Sequence, residues 1–282
     1  MAEKNSTEGH GTAFKSFLLC LLFWIIFLAL LFAGGIYLVK LFPSTWERFA
    51  YGFTATIAAC FAIWAIRKID RKSLTEIGLV WQSGTVSRFF NGILIGSVLM
   101  GIILSSVILF TGIRLQWNPD GFSFGNALFY LSVFPLLFAE ELVFRSYPFV
   151  KLNQSYPFII TQIIVSIAFA IYHVVIGWNI YAAMLGPGIW AFVFGLAAHR
   201  SGGIAMPVGI HMALNVWQPL LGLSTGAYTS LWFLKSSDHP ANDQQRSDLI
   251  GLIFQILLLV SAVVLTVKYS RKANTPSESG KI

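Results

Sequence analysis

The sequence predicts an all-α fold, a polytopic membrane helix bundle of about eight transmembrane helices. Three observations carry this. Of 282 residues, 56% are hydrophobic and only 11% charged, against roughly a quarter charged in a soluble domain. The mean hydropathy is +0.72. The apolar residues also gather into runs long enough to cross a hydrocarbon layer of about 30 Å, which takes roughly 20 helical residues.

Taken in order, the runs lie at residues 17–39, 49–66, 89–113, 122–148, 157–177, 180–198, 203–222 and 249–267. The first is longer than the roughly 7–15 apolar residues of a signal peptide and is read as an uncleaved span. After the second, residues 67–88 are polar and mixed in charge. They are expected at the cytoplasmic surface, with Leu74, Ile77, Leu79 and Trp81 dipping into the interface. The third run holds Gly92 and Gly96, a GxxxG spacing suited to close helix packing. Only Gly177-Trp178-Asn179 divides the fifth run from the sixth. The chain is thus one transmembrane bundle over residues 17–268, with its chemistry concentrated at about 122–222, between disordered tails at 1–16 and 269–282.

The net charge of +7 does not point to nucleic acid, because the basic residues sit in short clusters between apolar runs. With both termini inside, the inner segments hold 14 Lys and Arg, Arg145 among them, and the outer segments 5. That balance predicts a multi-pass protein of the cell membrane with both termini cytoplasmic. It also predicts a cavity reached from the cytoplasm or inner leaflet. Cys20 and Cys60 lie in separate runs without CxxC spacing, so neither a disulfide framework nor a zinc–thiolate site is expected.

A carboxylate at the centre of a lone membrane helix costs about 2.5–3.5 kcal/mol, so such residues persist where they face a bundle interior and serve a function. Of the 12 acidic residues, only Glu140 and Glu141 fall inside a run, in the context FPLLFAEELVFRSYPF. Glu141 and Arg145 are four apart and share a helical face, where they can pair. Glu140 is turned from Arg145 by about 140° around the axis and is free to serve as a base. In SIAFAIYHVVIGW, Phe169 and His173 share a face, as do His211 and Asn215 in VGIHMALNVWQ. Counted at 1.5 Å per residue from the nearest inner loop, Glu140 lies about 20 Å deep, His211 about 17 Å and His173 about 24 Å. One layer can hold all three.

The series Glu140-Glu141-x-x-x-Arg145, Phe169-x-x-x-His173 and His211-x-x-x-Asn215, in that order on separate apolar helices, closely resembles the CPBP family. These are the CAAX-protease and bacteriocin-processing intramembrane proteases related to type II CAAX prenyl endopeptidases. The likeness covers mainly residues 122–222 and departs at Ser146, where many relatives have Gly. It implies a protease core over that stretch. Glu140 would activate water, His173 would assist proton transfer, and His211 and Asn215 would polarise the carbonyl or stabilise the oxyanion. Glu141, Arg145 and Phe169 would support them.

No cofactor is favoured. Zinc is the alternative, held by Glu140, His173 and His211, although the chain has no HExxH helix. The expected partners are a membrane-associated peptide or protein substrate and the lipid bilayer, with no nucleic acid. The oligomeric state is not specified. Other readings are a family member acting as an immunity or scaffold protein without catalysis, a proton-coupled transporter, and a serine protease using Ser132 or Ser166.

Overall fold

Proline, glycine and the cost of interrupting a backbone ladder inside a bilayer decide where the apolar runs of this chain start and stop. The computed structural model of the protein describes residues 2–43, 46–121, 124–223 and 230–273. Helices α1 (Ala2–Tyr37), α2 (Glu47–Asp70) and α3 (Thr85–Phe110) make the first three crossings. Helix α7 (Phe158–Val175) follows later. The short α8 (Ile180–Ala183) then runs through a π turn at Met184–Gly188 into α9 (Ile189–Ser201), and α11 (Pro240–Ala273) comes last. With α8 and α9 taken as one segment, these are six stretches long and apolar enough to cross a membrane.

The division between α7 and α8 falls where the sequence places it. Gly177 adopts φ 105°, which a side chain would strain, and Asn179 caps α8 by accepting the Tyr181 N–H at 2.9 Å. Pro187 sits inside the π turn; it has no N–H to donate, and the wider turn accommodates it.

The other two expected spans take a different form. Residues 122–148 do not make one helix but α4 (Phe124–Leu131) and α5 (Phe134–Arg145), and the chain continues in α6 (Tyr147–Ser155). Pro135 and Pro148 each occupy the first turn of a helix, where the missing N–H costs nothing, so the helix restarts instead of continuing. Helix α10 (Ala205–Leu220) has 16 residues. Both α5 and α10 are buried along most of their length.

Close backbone contacts fix how these helices lie. A Cβ on Gly92 would stand 2.2 Å from Met206 O, and one on Gly209 would stand 2.1 Å from Phe89 O. The GxxxG face of α3 therefore packs directly on α10, the two running in the same direction. Helix α5 meets α2 equally closely: a Cβ on Gly52 would lie 2.6 Å from Leu136 N, and the Thr56 hydroxyl donates to Pro135 O at 2.8 Å.

The bundle has two distinct ends. At one, Lys151 pairs with Asp70 at 2.7 Å, and the Phe158 and His199 rings stack 4.3 Å apart. Here α2 and α9 finish while α3, α7 and α10 begin. At the opposite end, Gly112 N–H donates to Asp243 at 2.9 Å. An antiparallel ladder of β1 (Arg114–Trp117) and β2 (Trp232–Lys235) joins the all-α architecture there.

Three expectations need correction. Residues 2–16 are not a disordered tail, because α1 begins at Ala2. Extending a formed helix is cheap, and α6 supplies partners: Ser16 and Ser155 hydroxyls meet at 2.7 Å and Tyr156 donates to Ala13 O at 3.0 Å. At the other terminus α11 reaches Ala273, so residues 269–273 are helical, while 274–282 lie outside the described residues. In the 67–88 linker, Leu74 and Trp81 are exposed, but Ile77 is buried in the protein core.

Candidate active site

Helix α5 places two adjacent carboxylates in different surroundings, as its phase requires. Glu141 is fully buried and pairs with Arg145 on the next turn, Oε2 to Nε at 3.4 Å. Its other oxygen, Oε1, lies 2.8 Å from His211 Nδ1 on α10. Glu141 thus holds two cationic or donor groups, one more than the sequence assigns it. Arg145 is enclosed by aromatic faces, its guanidinium carbon 4.4 Å from the Phe169 ring centre and 5.1 Å from that of Phe194.

Glu140 faces the other way. It is 4% exposed, and its Oε2 has no hydrogen-bond partner. His211 Nε2 lies 3.6 Å from that oxygen, beyond hydrogen-bond reach. The His211 ring therefore stands between the two glutamates, bound to one and facing the other. Its stacking on Phe194, 4.6 Å away, keeps it there.

The partners of the imidazoles settle their tautomers. His173 Nδ1 lies 2.8 Å from Phe169 O, and a carbonyl can only accept. Nδ1 therefore carries the proton, and the neutral ring keeps its lone pair on Nε2. In His211 a charged Glu141 likewise holds the proton on Nδ1, so a neutral ring presents its lone pair at Nε2. Asn215 donates to His211 O at 3.3 Å, one turn back on the same helix, and its amide keeps a second N–H.

Glu140, Phe169, His173, His211 and Asn215 all line one cavity of about 370 Å³. The structure therefore gathers every sequence-predicted residue, five on the cavity wall and Glu141 with Arg145 directly behind it. The same wall holds Arg48, Trp178, Trp190, Gln218 and Gln255, which sequence reasoning missed. Arg48 sits in the first turn of α2 and reads as a border charge, although it acts electrostatically on Glu140. Gln255 is a polar residue inside an apolar run and carried the same signal of cost that exposes Glu140.

Arg48 begins α2, Trp178 follows α7 and Gln218 ends α10, so the cavity rim faces the end with the β ladder. The buried Arg145, Phe169 and Phe194 close it toward the Lys151 end. Arg145 is accordingly an interior residue and not part of a basic loop.

Among the described residues, no three His, Cys, Asp or Glu side chains converge as a metal-binding group.

No curated protein matches the chain. Residues 122–217, which run from α4 into α10 and carry the glutamate, arginine and histidine constellation just described, match the family model described as type II CAAX prenyl endopeptidase Rce1-like.

Proposed function

We propose that this protein is an intramembrane endopeptidase of the glutamate type, acting on a membrane-associated peptide in the cavity between α2, α5, α7 and α10. The observation that carries this reading is Glu140, a buried carboxylate with an unpartnered oxygen on the wall of a polar cavity inside a membrane bundle. Glu141 is committed to Arg145 and His211, so Glu140 is the carboxylate with lone pairs to offer.

The chemistry follows from the donors and acceptors at hand. A water beside Glu140 gives its proton to the carboxylate as its oxygen attacks the scissile carbonyl carbon. The charge that develops on the carbonyl oxygen is met by the spare Asn215 N–H and, when His211 is protonated, by its Nε2–H. His173, with its lone pair on Nε2, assists the transfer of the proton to the amide nitrogen. The C–N bond then breaks, leaving a carboxylate and an amine. Glu141, Arg145 and Phe169 keep the two imidazoles in these orientations. The family description, type II CAAX prenyl endopeptidase, supports a lipid-anchored peptide as the substrate class.

The glutamate mechanism is preferred to a zinc one on the strength of the unpartnered Glu140 oxygen; that the described residues hold no group of three His, Cys, Asp or Glu side chains placed for a metal ion supports the preference. Loss of hydrolysis by the purified protein on chelation, restored by zinc, would reverse that preference. The main test is Glu140→Gln, which keeps the shape and removes the base. Membrane peptides compared between wild-type and Glu140→Gln cells should show intact substrate accumulating in the variant, and purified protein should lose about 10²- to 10⁴-fold in rate. An unchanged peptide profile at normal protein level would sink the enzymatic reading.

A further inference from the structure

We propose that the active-site cavity is filled from the non-cytoplasmic side of the membrane, so that its substrate is a peptide segment displayed on that face and not one carried on the cytoplasmic leaflet. The inference rests on the protease reading only for the word substrate; the side of access stands on geometry and charge.

The geometry fixes which end of the bundle is open. The rim residues Arg48, Trp178 and Gln218 come from the start of α2, the α7–α8 link and the end of α10. Gln218 is exposed and Trp178 is 48% exposed, so the rim reaches the surface. Below the site, Arg145, Tyr147, Phe149, Phe158 and Phe169 are all buried. A peptide arriving from the Lys151 end would have to part this packed floor.

Charge fixes which end is cytoplasmic. Among the described residues, the segments at the closed end, 2–16, 67–88, 146–157, 199–204 and 268–273, carry twelve Lys and Arg. Those at the open end carry five: Lys40, Arg48, Arg114, Lys235 and Arg246. With Arg145 removed from the count as an interior residue, the asymmetry remains strong, and short basic segments stay on the cytoplasmic side. The closed end is the basic one. The same rule that led the sequence to a cytoplasmic cavity therefore leads, once the helix ends are known, to the opposite face.

Thiol labelling tests this without reference to catalysis. In a background with Cys60 replaced by Ala, three single variants report separately: Ser83→Cys on the basic linker, Lys235→Cys on β2 and Gln218→Cys at the rim. Spheroplasts of a bacterial host are treated with a membrane-impermeant maleimide before and after permeabilisation, with detergent-solubilised protein as the measure of full labelling. Lys235→Cys and Gln218→Cys should label in intact spheroplasts and Ser83→Cys only after permeabilisation. Ser83→Cys labelling in intact spheroplasts would overturn the orientation. Gln218→Cys remaining unlabelled there while Lys235→Cys labels would overturn access from that face. If the labelling holds but Glu140→Gln leaves the peptide profile unchanged, the protease reading fails and the side of access survives.

Discussion

Helices α5 and α11 both lie in the bundle, yet they obey opposite rules. Helix α11 has 34 residues, and only 11% of its most apolar window is covered by protein. Helix α5 has 12 residues, and Ala139 to Arg145 are buried without a break. Lipid offers no partner to a polar group, so a helix that faces it must be long, continuous and apolar. A helix enclosed by others is released from all three demands. It can be short, begin at a proline and hold two glutamates and an arginine, because its neighbours supply the partners. The buried charges of this protein lie where other helices enclose them.

The largest effect should come from breaking that shielding. Glu141→Gln removes the charge that holds both Arg145 and His211. Leaving a buried cation unpaired typically costs about 3–5 kcal/mol. Unfolding in detergent micelles should register this, and hydrolysis should fall as His211 loses its orientation. Leu257→Ala on the lipid face of α11, 60% exposed, should change stability by roughly 0.5 kcal/mol or less. Equal losses from the two would erase the distinction between the regions.

A smaller effect is expected where the two kinds of helix touch. Gly92→Ala would force a methyl against Met206 O, which a Cβ meets at 2.2 Å; overpacking of this sort costs about 1–3 kcal/mol. Gly101, further along α3, has nothing within 4 Å of its Cβ position. Gly101→Ala should therefore gain roughly 0.5–1 kcal/mol through reduced chain entropy. Opposite signs from two glycines of one helix, read as midpoint shifts in the same unfolding assay, would confirm that α10 is held against α3 by backbone contact.

The comparison also explains what the sequence could reveal. Lipid-facing helices announce themselves, because the bilayer imposes length and hydropathy residue by residue; α1, α3, α7 and α11 were legible for that reason. The site was legible through its cost, since Glu140, Glu141, His173 and His211 are expensive anywhere in a membrane. What was not legible depended on the ends and seams of helices. The breaks at Pro135 and Ser146 turned one expected span into three pieces. Arg48, at the start of α2, enters the cavity only because α2 packs on α5. The tie between His211 and Glu141 links residues 70 positions apart, and no local pattern records it.

The smallest effect expected lies outside the bilayer, in the linker between α2 and α3, where water replaces protein as the shield. The Glu76 carboxylate accepts from Ser73 N–H at 2.8 Å, the Ser73 hydroxyl at 2.9 Å and Lys72 Nζ at 2.9 Å. These donors, the Ser73 N–H first, favour the ionised form and hold its pKa down to about 2 from an ordinary 4.5. The sign follows from linkage. The turn gains stability from Glu76 fully above pH 4.5, and that gain is lost as pH falls through about 2. The pair is exposed and screened, so global stability should barely respond; the carboxyl carbon shift of Glu76 is the measurement to follow. Its midpoint should lie near 2 in wild type and rise in Lys72→Met, whereas Ser73→Ala, which keeps the backbone N–H, should move it less. A wild-type midpoint at the ordinary 4.5 would mean that these donors are not held. The linker would then be a loose tether, and the contrast drawn here between shielded and unshielded polar groups would stop at the membrane surface.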